Sequence, residues 1–228
     1  MTRGAPVGAD PDWGERVSKF LRVAAAFVML SAPVAGGAAQ GGGAARGGGE
    51  GSPLRLTAEV LGRRYCAGEG LNFLQLRVRL RYRNAGGARL IVYRGKNLFY
   101  QTKIRGASDG KPYEVVVLNS RYNDAQAEPV SGPRPGAAFV TLSPGESYET
   151  EIVVGVAVAR EAAGRGANSV APGEHTLQVV ASTWYESKKL AEELRARWRG
   201  AGLLWTDPVA TEPLKFTAGP DEPAAACR

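Results

Sequence analysis

The sequence predicts an all-β protein, an antiparallel β-sandwich of about nine strands with one helical insertion before the last strand. Three observations carry that prediction. From Leu54 onward the apolar residues recur with period two, the period of a strand with one buried face. Turn-forming clusters of Gly, Pro, Asn and Asp separate these runs. Only one stretch, about 187–199, has its apolar residues at helical spacing.

Taken in order, Leu54, Leu56, Ala58 and Val60 alternate with Arg55, Thr57 and Glu59. Leu74, Leu76, Val78, Leu80 and Tyr82 alternate with Gln75, Arg77, Arg79, Arg81 and Arg83. The turn at Asn84-Ala-Gly-Gly87 leads to Leu90–Tyr93, and Leu98–Arg105 alternates again. Ser108-Asp-Gly-Lys111 turns the chain into Tyr113–Leu118, and 119–137, with three prolines and two glycines, is a long loop. Phe139–Leu142, Tyr148–Val158, Thr176–Trp184 and Val209–Thr217 complete the strands. Pro-Gly-Glu occurs at 144–146 and 172–174, the proline presetting φ and the glycine supplying a positive φ for a type II turn. Pro213 has no N–H, so the last strand is an edge or carries a bulge. In the helical insertion Leu190, Leu194 and Trp198 form one stripe, with Ser187 as N-cap and Gly200 as the residue just past the helix.

Pro172-Gly-Glu-His-Thr-Leu-Gln-Val179 resembles the Pro-Gly-x-Tyr-x-Leu-x-Val phrase that opens the penultimate strand of many bacterial immunoglobulin-like and fibronectin-like domains. Val209-Ala-Thr-Glu-Pro-Leu-Lys-Phe216 is similar to the closing strand of that class. The resemblance implies an immunoglobulin-like sandwich and no particular activity. Histidine stands where tyrosine is usual, and no pair of cysteines brackets a tryptophan as in antibody domains. His175 then takes the structural corner role, bonding to nearby backbone.

The 228 residues carry 29 Lys+Arg against 22 Asp+Glu, a formal charge of +7. Arg16, Lys19 and Arg22 precede an uncharged apolar run from Val23 to Ala35, which is followed by small residues to Ala39. That order reads as a secretory signal peptide over 1–39, its apolar run too short to span a bilayer, with no transmembrane anchor left after cleavage. Residues 40–53 are a glycine-rich flexible linker, 54–218 the domain, and 219–228 a polar C-terminal tail. The expected address is extracytoplasmic, periplasmic or secreted.

The chemistry is sparse. One histidine, no Gly-x-Ser-x-Gly and no metal-ligand spacing argue for a non-enzyme without cofactor or metal. Asn123, Asp124 and Glu128 in the long loop are weak oxygen donors that read as solvated. Glu149 and Glu151, about 7 Å apart on one strand face, are the pair that a carboxylate-based hydrolase would use. Cys66 and Cys227, both in the exported part, offer a disulfide, two free thiols or pairing with another chain. Arg77, Arg79, Arg81 and Arg83 place four positive charges along about 20 Å of one strand face. They read either as a face balanced by Glu149 and Glu151 on a neighbouring strand or as a site for a polyanion such as an acidic glycan. Trp184, Tyr185 and Trp205 surround the helix as a partner surface or as packing, with Trp205 the ring more open to solvent. The function this supports is an exported, non-catalytic binding module meeting an unknown protein or cell-envelope glycan and no nucleic acid, its contact surface at the helix and loop 119–137.

Overall fold

The computed structural model describes residues 51–95, 98–108, 110–120, 132–219, 225 and 226. The signal peptide expected over 1–39, most of the expected linker, the core of loop 119–137 with its oxygen donors, and Cys227 lie outside the described residues. The fold is mostly β, with a single α-helix among the described residues and several sheets, none closed into a barrel.

Three long strands make up most of the first sheet: β1 (Leu54–Ala67), β2 (Asn72–Asn84) and, after four further strands in sequence, one at Ser147–Val158. In between come β3 (Leu90–Tyr93), β4 (Phe99–Ser108), β5 (Lys111–Ser120) and β6 (Phe139–Leu142), so the strand at Ser147–Val158 is β7. The chain continues through β8 (Ser169–Val170), β9 (Gly173–Ser182), helix α1 (Lys188–Trp198), β10 (Leu203–Leu204), β11 (Val209–Ala210), β12 (Leu214–Ala218) and β13 (Ala225–Ala226). One sheet has the order β13-β1-β2-β7-β8, a second β10-β3-β6, and a third β11-β9-β4-β5 with β12 also on β9.

The alternation in β2 is the physical reason for its place. Leu74, Leu76, Val78 and Leu80 are wholly buried while Arg77, Arg79, Arg81 and Arg83 stand outward, so the strand has one dry face and one wet face. Ile104 of β4, Leu177 of β9 and Val154 of β7 join those leucines in a single apolar cluster shared by the two five-stranded sheets. Burial of this continuous apolar surface is the main term holding the sheets together.

Four features differ from the sequence prediction. Thirteen strands are described where about nine were expected. Three of the extra ones, β8, β10 and β13, are two residues long and pair in parallel, so the sheets are not purely antiparallel. The expected final strand is divided, with Ala210 opposite Val180 but Leu214 opposite Leu177, one residue out of step. Pro213 sits in that bulge on an edge, and Thr211 bridges it, its N–H donating to Val179 O at 2.9 Å and its Oγ1 accepting from Val179 N–H at 3.1 Å. Helix α1 therefore precedes four short strands and not one.

The two Pro-Gly pairs do supply positive φ, +84° at Gly145 and +120° at Gly173. The first closes a turn, Glu146 N–H donating to Ser143 O at 3.0 Å.

Candidate functional site

The outward face of β2 lies between β1 and β7 in a register that sets its charges against acids. Arg79 faces Glu59 and Glu151, and Arg81 faces Glu149. Arg81 Nε donates to Glu149 Oε1 at 2.8 Å. Arg79 lies 3.5 Å from Glu59, 3.8 Å from Glu149 and 3.9 Å from Glu151, and Arg77 lies 3.8 Å from Glu151. These side chains are exposed, so each pair contributes about 0–1 kcal/mol and weakens in salt. Three of the four row arginines thus form a neutralised lattice that a polyanion would first have to open. Arg83 is different: its cross-strand neighbours are Arg55 and Ser147, and no carboxylate among the described residues lies within ion-pair distance of it. Glu149 and Glu151 stand partly in solvent, against the arginines of β2.

His175, on β9, is buried at 4% exposure. Its Nδ1 lies 2.9 Å from Gly173 O, which only accepts, so Nδ1 carries the proton and the neutral Nε2 is an acceptor. Tyr113 O–H donates to that Nε2 at 2.5 Å, and the same oxygen accepts Ala171 N–H at 2.8 Å. Gly106 makes room, since a Cβ there would fall 2.5 Å from His175 Cδ2. Both ring nitrogens are committed to these bonds, which is a bridging arrangement and leaves neither for a nucleophile.

Burial disfavours the imidazolium and lowers the His175 pKa below its ordinary 6.5, the bond to Gly173 opposing only in part. The unfolded chain then takes up a proton that the folded chain refuses, so stability falls as pH drops below about 6.5 and the loss ends below the depressed folded value. His175 is the chain's single histidine, so the slope between pH 6.5 and 5 in urea midpoints reports this group. A His175→Gln variant should lack that slope; an identical slope would place its origin elsewhere.

Cys66 is disulfide-bonded and lies at the end of β1, where it pairs with Ala225 of β13. The chain's other cysteine, Cys227, lies outside the described residues.

The helical end is assembled on aromatic contacts. Ser187 Oγ caps α1 by accepting Leu190 N–H at 3.2 Å, and Ala191, Leu194 and Trp198 are the buried stripe. Trp198 Nε1 donates to Gly132 O at 3.0 Å, and its ring meets Phe139 edge-on at 4.9 Å. Tyr93 continues the chain of rings, 5.4 Å from Phe139, 5.0 Å from Tyr185 and 6.5 Å from Trp184. Trp184, Tyr185 and Trp205 are all half-buried, packed against the core with one side to solvent. The Trp205 N–H is itself buried without a partner among the described residues.

At the helix exit Arg199 is the C-cap and Gly200 follows it as expected, and Gly202, two residues on, has a positive φ of +150°. Ala201 and Gly202 both donate to Trp198 O, at 2.7 and 3.1 Å, and Leu203 N–H donates to Arg89 O at 2.8 Å. A Cβ on Gly202 would fall 2.8 Å from that same Arg89 oxygen, so this close approach to β3 requires glycine. Where the exit meets the start of β3 and the Pro144 turn there is a cleft of about 530 Å³. Arg89, Arg195 and Arg199 line it beside Ala88, Pro144 and Leu203. Sequence reasoning passed over these arginines because they come from two distant segments; the only local signal was Arg195 and Arg199 four apart on the helix.

The described chain is thus a β-rich domain with a basic, aromatic-flanked helical end. No family model matches the sequence, and no curated protein matches it. Among solved structures, Spo0M, a sporulation control protein from Bacillus subtilis, is similar over 73% of this chain and 49% of its own, at 8% identity and a TM-score of 0.30. The structural-genomics target SoR45 is similar over 77% of this chain and 95% of its own, at 10% identity and a TM-score of 0.28. The chain spans about half the length of Spo0M, and superpositions this loose carry no argument about function.

Proposed function

We propose that the chain is an exported, non-catalytic binding module of immunoglobulin-like sandwich type, carried on a glycine tether, that meets its partner through the helical end. One observation carries this reading. At that end the half-exposed rings of Trp184 and Tyr185 pack on the ring chain Trp198, Phe139 and Tyr93, and Arg89, Arg195 and Arg199, with no carboxylate partner among the described residues, line a cleft at the exit of the same helix. Binding energy concentrates where rigid aromatic and arginine side chains are already ordered before contact. The basic-apolar-small order of the first 39 residues supports export, and the apolar cluster shared by the two larger sheets supports the sandwich. The second reading, a polyanion held on the arginine row, is favoured by Arg55 and Arg83, a cross-strand pair with no carboxylate partner among the described residues, and opposed by the glutamates beside Arg77, Arg79 and Arg81.

The test is native co-purification of the exported protein from envelope and medium fractions after mild cross-linking. The same capture is repeated with a Tyr185→Ala/Trp205→Ala variant. The expected result is a stoichiometric partner whose recovery falls at least about tenfold in the variant while its circular dichroism is unchanged, a loss typical of two ring contacts. Undiminished recovery would move the contact surface elsewhere. Intact mass of the same material should show the chain beginning near residue 40; a chain beginning at Met1 would contradict export.

A further inference from the structure

We infer that the cleft between the exit of α1, the start of β3 and the Pro144 turn is a binding site for an anionic group, a carboxylate or phosphate on a compact body. This deepens the reading that the helical end is the contact surface.

The nine residues lining the cleft include three arginines and no acid. Arg195 is held in place: its Nε donates to Leu204 O at 3.1 Å and its Nη2 to Thr206 Oγ1 at 2.5 Å. Those bonds leave Nη1 without a partner among the described residues and orient the planar fork before any ligand arrives. Arg89 and Arg199 are exposed, and no carboxylate among the described residues lies within ion-pair distance of either. Glu146, two residues from Pro144, is occupied by the Ser143 N–H at 2.6 Å. The contrast with the β2 face is direct, because there each of three arginines lies within 4 Å of a glutamate.

Arg195 and Arg199 also complement the carbonyl end of the helix. That does not account for Arg89, which comes from the start of β3 and brings a third positive charge to the same space. Guanidinium groups gathered without a counter-charge repel one another, and an oxyanion relieves the repulsion while accepting paired N–H bonds. Ala88, Pro144, Ala201 and Leu203 add apolar side chains to the lining, so the ligand has a body that tolerates contact with carbon. The volume falls within the range of about 300–1,000 Å³ usual for small-ligand sites.

The experiment titrates the ¹⁵N-labelled mature protein with three probes sharing one ring: glucuronate, glucose 6-phosphate and glucose. The acids should shift the amides of Ala88, Arg89 and 199–203, and glucose should not. Affinity should fall at least about fivefold between low and physiological salt, as contacts between separated charges are screened. Whichever acid binds more tightly identifies the source as a carboxylate or a phosphate. An Arg89→Gln/Arg199→Gln variant should lose binding by about tenfold or more with the rest of its spectrum unchanged, and Arg81→Gln should bind as the wild type does. The inference is overturned if neither acid shifts these amides, if glucose shifts them equally, or if only the β2 face responds. Acid binding in the cleft with a partner that contacts another surface would retain this site and remove the contact-surface reading; a partner at the helical end that ignores the double variant, with no acid binding, would remove this inference alone.

Discussion

Replacing Trp198 by alanine should lower folding stability by about 4 kcal/mol, the range found when a large buried ring is truncated. Trp198 is 2% exposed and among the largest wholly buried side chains. The loss has two parts, the apolar surface returned to water and the cavity left behind. A third contribution comes from Gly132 O, which gives up the indole N–H at 3.0 Å. Phe139 then lacks its edge contact, and through Tyr93 the support under Trp184 and Tyr185 weakens. Urea unfolding should show a midpoint well below wild type, and partner recovery should fall with it even though Trp198 itself is not exposed. Trp198→Phe keeps most of the apolar contact and should lie between the two. A Trp198→Ala midpoint within about 1 kcal/mol of wild type would mean that helix α1 is held by something other than this ring.

Asn84→Ala should cost on the order of 3 kcal/mol, because a wholly buried side chain with three hydrogen bonds is lost at once. Asn84 Nδ2 donates to Ala88 O at 2.8 Å and Leu142 O at 2.9 Å, while Oδ1 accepts Gly86 N–H at 3.0 Å. Its backbone is tied as well, with Asn84 N–H donating to Glu146 O at 3.0 Å and Gly145 N–H donating to Asn84 O at 2.8 Å. This one residue therefore fixes the loop that presents Ala88 and Arg89 and the turn that presents Pro144, two walls of the anion cleft. Asn84→Asp should be worse than Asn84→Ala at neutral pH, since a carboxylate would face the oxygens of Ala88 and Leu142 in a buried setting. Thermal unfolding of the two variants gives the order, and acid binding by each reports the cleft. Equal stability of wild type and Asn84→Ala would show that the loop carries its own geometry.

The period-two alternation made the long strands legible, because a residue such as Val78 is buried and its neighbours Arg77 and Arg79 are not, and that pattern is local. The helix was legible for the same reason, through Leu194 and Trp198 on one stripe. Two-residue strands such as β8 and β10 have no period to read, and their pairing depends on which distant backbone lies alongside. Asn84 was visible as a turn residue, but its place in the core depends on Leu142, 58 residues away. The arginine row and its partners Glu149 and Glu151 were legible by spacing, while Glu59, the third acid, is set against Arg79 by the register of β1 on β2. The cleft arginines had no such announcement, since Arg89 meets Arg195 and Arg199 only because Gly202 lets the helix exit approach β3.

Whether a partner meets the helical end is read by placing a photo-cross-linking side chain at Leu203, which lines the cleft and is 46% exposed, and separately at Arg81 on the β2 face. Irradiation of the protein in native envelope preparations should give a defined cross-linked species from position 203 and none from position 81; a species from position 81 alone would contradict this contact surface and return the arginine row to first place.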